Sequence, residues 1–326
     1  MGHRKMSVPR HGSLGVRPRK RAASIVPRVR AWANHADCKL LGFPVYKVGM
    51  SHGIIVDNYP TSPTYGKEVF RALTLLEAPP VHVVALRVYG VSETGCYITL
   101  GEIRSKNTPK QLGRVLSSLK KDPPVLSDTV KEKGVKASLI VATQPWLTGL
   151  GKKTPELVEI PLGGKFSDQL SYVEKVGKEI DVSDVFSPPE FVDAVAVSRG
   201  KGYEGPVARF GIKIIQKKKA KKTKRGPGSD SPLTPSAVMS SVPRAGQMGF
   251  HNRVDYNKAI ISVASDAKPY TPKAGFKHYG LPLSKLIVVE GSVPGATKRL
   301  VVLRKSVRAY KRLPKEPPKL EYVHTV

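Results

Sequence analysis

Short apolar runs recur along the chain, and each is bounded by Gly, Pro or Asn. The runs are PVYKVGM and GIIVDN on either side of residues 51–53, VHVVALRVYGV, VDAVAVS, ARFGIKII, AIISVAS, and the pair KLIVVEG and RLVVLRK around residues 292–297. Runs of this length that are rich in Val and Ile are typical of strands in an antiparallel barrel or sandwich. The pattern therefore predicts a mainly-β fold.

Between about residue 91 and residue 188 the pattern also predicts amphipathic helices. Thr108 is a suitable N-cap with Pro109 at the first helical position. The apolar residues that follow at helical spacing are Leu112, Val115, Leu116 and Leu119. A second helix is predicted after Ser167, and its apolar face consists of Leu170, Val173, Val176 and Ile180. Together with the strand-like runs GCYITLGEI and ASLIVAT, these helices predict an α+β insertion in the β-fold.

The charge of the chain narrows its possible functions. The 326 residues include 55 Lys and Arg against 25 Asp and Glu, which gives a formal charge of +30 and a pI of about 10.1. A folded protein with this excess is expected to bind nucleic acid or, less often, an acidic membrane. Two distant cysteines, Cys38 and Cys96, provide neither a disulfide framework nor a zinc ribbon. Without an apparent signal peptide or membrane span, a cytoplasmic protein is expected.

The basic residues are concentrated in three blocks. Residues 1–36 contain no acid, and their arginines alternate with Pro and Gly, which suits an extended backbone threaded between RNA helices. Residues 206–229 also lack acids and include the run QKKKAKKTKRGPG, while the third block covers residues 298–315. A single lysine run is often a solvated tail or a nuclear-localisation signal, but three blocks favour a polyanion partner. Residues 156–190 are acidic instead, with eight carboxylates against three lysines.

Two glycine-rich segments resemble nucleotide-binding loops. RGKGYEG follows the strand-like run VDAVAVS, but a dinucleotide site needs an immediate helix and an acid about 20 positions later. Pro206 and a β-type run follow here, and the downstream region is rich in lysine. The loop is therefore predicted to let a phosphate backbone approach the main chain near Arg199, Lys201 and Arg209. GLGKKT at residues 149–154 has Trp146 where a phosphate-binding loop needs its first glycine, so we predict a surface turn.

The sequence contains no recognisable catalytic or metal-binding arrangement. Its eight histidines are scattered, and neither cysteine lies in a nucleophile context. His3, His11 and His251 are expected to be either hydrogen-bonded surface residues or RNA contacts, and His82 is expected in the core. We predict no catalytic residues, no metal and no cofactor.

Four segments in order carry a resemblance to a known family. They are HRKMSVPRHGSLGVRPRKRA at residues 3–22, SRGKGYEGPVARFG at 198–211, VPRAGQMGFHNR at 242–253 and GSVPGATKRLVVLRKS at 291–306. The chain resembles the archaeal form of the L-three family of large-subunit ribosomal proteins over nearly its whole length. The resemblance implies a translation-protein-type antiparallel β-barrel with an α+β insertion and long basic extensions. It also implies binding to large-subunit rRNA, early subunit assembly and a loop that extends toward the peptidyl-transferase region.

The implied organisation has five parts. They are a basic extended arm at 1–36, a β-barrel core at 37–91 and 189–310, an α+β insertion at 92–188, a basic internal loop at 216–253 within the core, and a C-terminal tail at 311–326. The expected partners are large-subunit rRNA and neighbouring ribosomal proteins in the cytoplasmic ribosome, with no membrane and no small-molecule substrate. The main alternative is an RNA-modifying enzyme or assembly factor with a barrel RNA-binding domain; a DNA-compacting protein is a further one.

The basic blocks and glycine segments supply the predicted RNA contacts. The predicted residues are Arg4, Lys5, Arg10, His11, Arg17, Arg19, Lys20, Arg21, Arg199, Lys201, Arg209, Lys217, Lys218, Lys219, Lys221, Lys222, Lys224, Arg225, Arg244, Gln247, His251 and Arg253. In archaeal and eukaryotic relatives the tip of the internal loop usually carries Trp before an x-Pro pair, whereas Leu233 stands here in SPLTPSAV. The contact is therefore predicted at the basic stem with Arg244 and Gln247, not at an aromatic tip.

Overall fold

The computed structural model describes residues 10–116, 128–220, 222–228, 234, 236–308 and 316–325. The described residues form fourteen strands: β1 Gly42–Val56, β2 Glu68–Glu77, β3 Val81–Val91, β4 Tyr97–Arg104, β5 Lys136–Ala142, β6 Leu157–Pro161, β7 Glu179–Ile180, β8 Phe191–Val197, β9 Gly202–Glu204, β10 Gly246–Met248, β11 Asn252–Ala264, β12 Leu286–Glu290, β13 Leu300–Lys305 and β14 Leu320–Val323. The α-helices are α1 Asp128–Lys133, α2 Phe166–Gln169 and α3 Pro206–Phe210. Short 3-10 helices of three to six residues cover Lys110–Arg114, Pro145–Leu147, Leu170–Lys175, Val182–Asp184, Lys217–Lys219 and Lys268–Tyr270.

The chain divides into two compact units. Unit 1 contains residues 1–24 and 198–252, and unit 2 contains residues 25–197 and 253–326. In unit 2, a seven-stranded sheet has the order β13-β8-β11-β12-β2-β1-β14, and β1 also pairs with β13. A second sheet has the order β4-β3-β5-β6, with β7 paired to β3. The strands of both sheets pair antiparallel, which confirms the predicted mainly-β class.

The core of unit 2 is shared by both of its sheets. One cluster of buried side chains includes Phe43 of β1 and Val301 of β13 together with Leu86, Leu139 and Ile160 of the second sheet. Each of these side chains is fully removed from solvent. Burial on this scale drives the association of the apolar runs that the sequence shows.

The first predicted pair of strands is one continuous strand. The sequence predicted PVYKVGM and GIIVDN as separate elements, but β1 pairs with β2 from Tyr46 to Val56 without a turn. Gly53 lies where β14 crosses, and a Cβ atom there would be 2.5 Å from the carbonyl oxygen of Tyr322. The glycine therefore permits a close strand approach instead of a turn. The runs KLIVVEG and RLVVLRK form two separate strands, and they do not pair with each other, because β12 pairs with β2 and β11 while β13 pairs with β1 and β8.

The predicted helices of the insertion are shorter than expected. Around Leu112 the described residues form a 3-10 turn that begins after Pro109, and residues 117–120 lie outside the described part. The second helix is α2 followed by the turn Leu170–Lys175, and Ile180 belongs to strand β7. Gly177 ends the helical stretch because its φ of +88° lies in the left-handed region.

The predicted strand ARFGIKII is wrong. Its first residues belong to α3, which begins with Pro206 at its first position and ends at Gly211, whose φ is +64°. Proline fixes a helical φ and glycine adopts the left-handed C-terminal position, so these two residues favour a short helix. RGKGYEG is therefore followed by a helix after all, but of five residues only, and Arg225 stands 20 positions after Gly205 where a dinucleotide site needs an acid.

Two smaller points complete the fold. His82 is buried in β3 as predicted, and its Nε2 lies 3.1 Å from the carbonyl oxygen of Asn107. No helix in the described part of the chain has the length and apolar character needed to cross a membrane.

Candidate RNA interface

Unit 1 carries a concentrated positive charge. Its described residues include 16 Lys and Arg against one acid, Glu204. A charge of this density attracts phosphates and repels itself in their absence.

A two-stranded hairpin organises this unit. Strand β9 pairs with β10, so that Tyr203 lies opposite Gln247 and Gly202 opposite Met248. The pairing continues as the amide of Lys201 donates to the carbonyl of Met248 at 2.9 Å. Gly249 has a φ of +71°, and any Cβ atom at this position would collide with the carbonyl oxygen of Arg199. The segments RGKGYEG and GQMGF, distant in sequence, thus form one element that requires glycine where they cross.

Arg209 of α3 holds this hairpin from the side. Its Nε donates to the carbonyl of Gln247 at 3.0 Å, and its Nη1 donates to the carbonyl of Arg244 at 2.9 Å. The guanidinium also lies 5.1 Å from the centre of the Phe210 ring. Both hydrogen bonds come from a charged, planar donor that matches two carbonyl groups at once. Arg209 therefore positions the returning strand of the internal loop.

The N-terminal arm packs on the same element. The amide of Ala22 donates to the carbonyl of Phe250 at 2.8 Å, and the His251 Nδ1 lies 2.8 Å from the carbonyl oxygen of Lys20. The guanidinium of Arg21 lies 5.2 Å from the centre of the Phe250 ring. His251 is buried, so the expectation of a surface histidine is wrong. Its ring forms a hydrogen bond with the backbone of the arm at Lys20.

A cavity of about 880 Å³ lies between the arm and the loop within unit 1. It brings together seven of the predicted RNA-binding residues, namely Arg17, Arg19, Lys20, Arg21, Arg209, Arg244 and Gln247. The apolar part of its wall includes Phe210, Val238 and Met239, and the last two are about half exposed. A cleft of this size with basic and aromatic walls can hold phosphate groups and a base.

Comparisons with known proteins agree with the four-segment resemblance. The family model described as Ribosomal protein L3 matches residues 1–326. The chain belongs to the ribosomal protein L3 family. It is similar to the large ribosomal subunit protein uL3 of Pyrobaculum calidifontis, with 46% identity over 322 residues and 95% of both chains. It is also similar to uL3 of Methanocaldococcus jannaschii, with 44% identity over 97% of this chain and 96% of the relative, and of Archaeoglobus fulgidus, with 42% identity over 98% and 95%.

The remaining predicted residues of this family member lie in the loop stem, before β9, in the arm, in unit 2 and outside the described residues. The stem residues in the described part are exposed: Lys217, Lys218, Lys219, Lys222, Lys224 and Arg225. Arg199 and Lys201 are exposed beside the hairpin, and Arg10 donates to the Ser241 carbonyl at 3.4 Å near His11. Arg253 belongs to unit 2, where burial lowers the pKa of its guanidinium. Arg4, Lys5, Lys221 and the tip residue Leu233 lie outside the described residues.

The sequence analysis missed the aromatic residues of this interface. Phe210 and Phe250 contact the guanidinium groups of Arg19 and Arg21, at 4.8 and 5.2 Å from the ring centres. Tyr203 projects from the hairpin with 80% of its side chain exposed. Each aromatic residue adjoins a basic segment that the charge pattern identified. Alternation of aromatic and basic residues in the sequence could therefore have predicted these aromatic residues.

Proposed function

We propose that the chain performs its role in the ribosome by binding large-subunit rRNA through unit 1. As a member of the ribosomal protein L3 family, it is a structural constituent of the large ribosomal subunit and not an enzyme. The observation that carries the site proposal is the excess of 16 basic residues over one acid in the described part of unit 1. Its partners are rRNA and neighbouring ribosomal proteins, and it acts in the cytoplasmic ribosome.

The proposed mechanism separates attraction from positioning. The exposed stem lysines attract phosphates as point charges and release counter-ions when RNA binds. Arg17, Arg19, Arg21 and Arg244 of the cavity contribute planar guanidinium groups for phosphates. Arg209 donates to the carbonyls of Gln247 and Arg244 instead and positions the returning strand. Shape and backbone contacts then dominate over the recognition of particular bases. Each predicted residue-level RNA contact is part of this proposal; Arg253, the one that belongs to unit 2, directly follows the last residue of unit 1.

The finer architecture is also a proposal. The pairing of β1 with β13 supports closure of the strands β1, β2, β12, β11, β8 and β13 into a barrel of the translation-protein type. We also propose the boundaries expected from the sequence for the arm (1–36), the insertion (92–188) and the internal loop (216–253). By family resemblance, the loop extends toward the peptidyl-transferase region and the protein acts early in subunit assembly.

Copurification tests the function against both alternatives. The tagged chain, expressed in an archaeal cell, is expected to remain on large-subunit particles after a high-salt wash. An RNA-modifying enzyme would leave the particle after modification, and a DNA-compacting protein would be recovered with duplex DNA. Ultraviolet crosslinking within the particle then tests the site: rRNA crosslinks are expected in residues 10–24 and 198–252, and crosslinks confined to unit 2 would refute the assignment of unit 1.

A further inference from the structure

Tyr203 is unusual in its exposure. With 80% of its side chain accessible, it is the most exposed large apolar residue in the described part of the chain. A single exposed apolar residue needs no explanation in general, but this one lies in unit 1, whose described residues include 16 Lys and Arg against one acid. Residues 199–203 are all exposed, and they include Arg199 and Lys201. We infer that Tyr203 is a stacking platform for an unpaired RNA base.

The hairpin holds the backbone that carries this ring in place. Tyr203 lies directly opposite Gln247 in the antiparallel pair, so both side chains lie on one face of the hairpin. The Gln247 amide nitrogen donates to the carbonyl of Gly249 at 3.0 Å, which keeps that side chain close to the backbone. Arg209 fixes the backbone of the same residue. A base that stacks on Tyr203 therefore meets a ring on a fixed backbone, and little conformational entropy of the main chain is lost.

Charge on this hairpin favours RNA on the Tyr203 face. Successive residues of a strand point to opposite faces, so Glu204 lies on the other side from Tyr203. The carboxylate is therefore directed away from the face on which the ring lies. Arg199 and Lys201 are exposed on the segment that leads into β9 and can bind the phosphates that flank the stacked base.

Gly205 adds an independent observation. Its φ of −70° and ψ of 163° are open to any residue, and a Cβ atom added there would meet no atom within 4 Å. Neither the backbone conformation nor packing within the described chain requires glycine at this position. The missing side chain leaves the backbone open two residues from Tyr203, where a nucleotide can approach closely.

The inference rests on the proposed function and specifies one ligand class. An aromatic ring stacks on any base that is not paired in a helix, so the ligand is a base in a single-stranded loop, bulge or junction of rRNA. The ring would supply a base contact at the hairpin. Its neighbours Arg199 and Lys201 supply charge, and Tyr203 supplies stacking.

The test uses the full chain and protein-free large-subunit rRNA as the probe. Tyr203→Ala is expected to weaken binding about 5- to 150-fold, the range for loss of one base–aromatic stack. Tyr203→Phe keeps the ring and should bind like the wild type. Tyr65→Ala is the matched control, because it removes another exposed tyrosine, 60% accessible, from unit 2. Thermal unfolding should be unchanged in all three variants, since neither tyrosine is buried.

The salt dependence of binding distinguishes stacking by Tyr203 from the attraction of phosphates to the basic residues of unit 1. Tyr203→Ala removes no charge, so the slope of log affinity against log salt should stay at the wild-type value. Unchanged affinity in Tyr203→Ala, with a steep wild-type salt slope, would overturn the stacking inference and leave the proposed function standing. Equal losses in Tyr203→Ala and Tyr65→Ala would overturn it as well. Failure of the wild-type chain to bind rRNA would instead refute the proposed function.

Discussion

The substitution Arg209→Lys tests whether a planar guanidinium holds the hairpin in place. Arginine donates to the carbonyls of Gln247 and Arg244 through two different nitrogens, at 3.0 and 2.9 Å. A lysine ammonium is a single point on a flexible stem, so it can satisfy one carbonyl but does not reproduce the fork. The formal charge of the chain stays at +30, and only the geometry of the donor changes.

The expected magnitude follows from the loss of one charge-assisted hydrogen bond. Such a bond contributes about 1.5–3 kcal/mol, so the equilibrium for local opening of the hairpin should rise about 10- to 150-fold. The stacking of the guanidinium on Phe210 adds a smaller contribution in the same direction. The effect should be local, because Arg209 contacts only residues of unit 1 in these hydrogen bonds.

Amide hydrogen exchange on the full chain measures this opening. The amide of Lys201, which donates to Met248 across the hairpin, should exchange about 10- to 150-fold faster in Arg209→Lys. Arg225→Lys is the matched control, since Arg225 is exposed on the loop stem and the substitution also conserves charge. Equal protection of Lys201 in the wild type and in Arg209→Lys would refute the role assigned to the fork.

Three further predictions address charge, backbone and core. Alanine at the three consecutive stem lysines, Lys217, Lys218 and Lys219, should reduce the slope of log rRNA affinity against log salt by about 2–3 units. Gln247→Ala should leave this slope unchanged, because it removes no charge. An unaltered slope in the triple lysine variant would show that the stem does not bind phosphates. Gly205→Ala should keep the wild-type melting temperature, since its φ suits alanine, but should weaken rRNA binding, and unchanged affinity would exclude close approach there. Asp193→Ala should lower the free energy of unfolding, measured by denaturant titration, by about 3–5 kcal/mol. The substitution leaves Arg304, which is 3% exposed and lies 3.0 Å from the Asp193 carboxylate, without its buried partner. A loss below about 1 kcal/mol would contradict this role of the ion pair.

The sequence predicted the strands whose apolar runs are continuous. Strands β3, β5, β8, β12 and β13 lie in the core, and their Val- and Ile-rich segments have no other plausible environment. Strand β2 was missed because its exposed half, EVFRA, carries charges, and only the second half is fully buried. A strand that is half in solvent and half in the core shows neither clear alternation nor an unbroken apolar run.

Local chemistry explains the error at α3. VARFGIKII contains enough β-branched and aromatic residues to predict a strand. The structure instead follows Pro206 and Gly211, which favour the beginning and the end of a helix. Ile212 is buried outside any regular element, so its hydrophobicity reflects tertiary packing and not a strand. In this segment the positions of Pro206 and Gly211 predict the local structure better than the β-propensity of the residues between and after them.

The interface shows what a count of charges can and cannot predict. The block pattern identified the arm and loop, and the structure brings seven of the predicted residues to one cavity. Charge alone does not distinguish an arginine whose donors can bind a phosphate from one whose donors are hydrogen-bonded within the chain. Arg209 donates to two backbone carbonyls, whereas Lys217 and its neighbours are exposed. A basic RNA-binding surface needs exposed cations, which attract RNA at long range, and positioning residues such as Arg209. Long-range attraction brings RNA to the protein, but only a rigid element such as the hairpin determines where the RNA is bound.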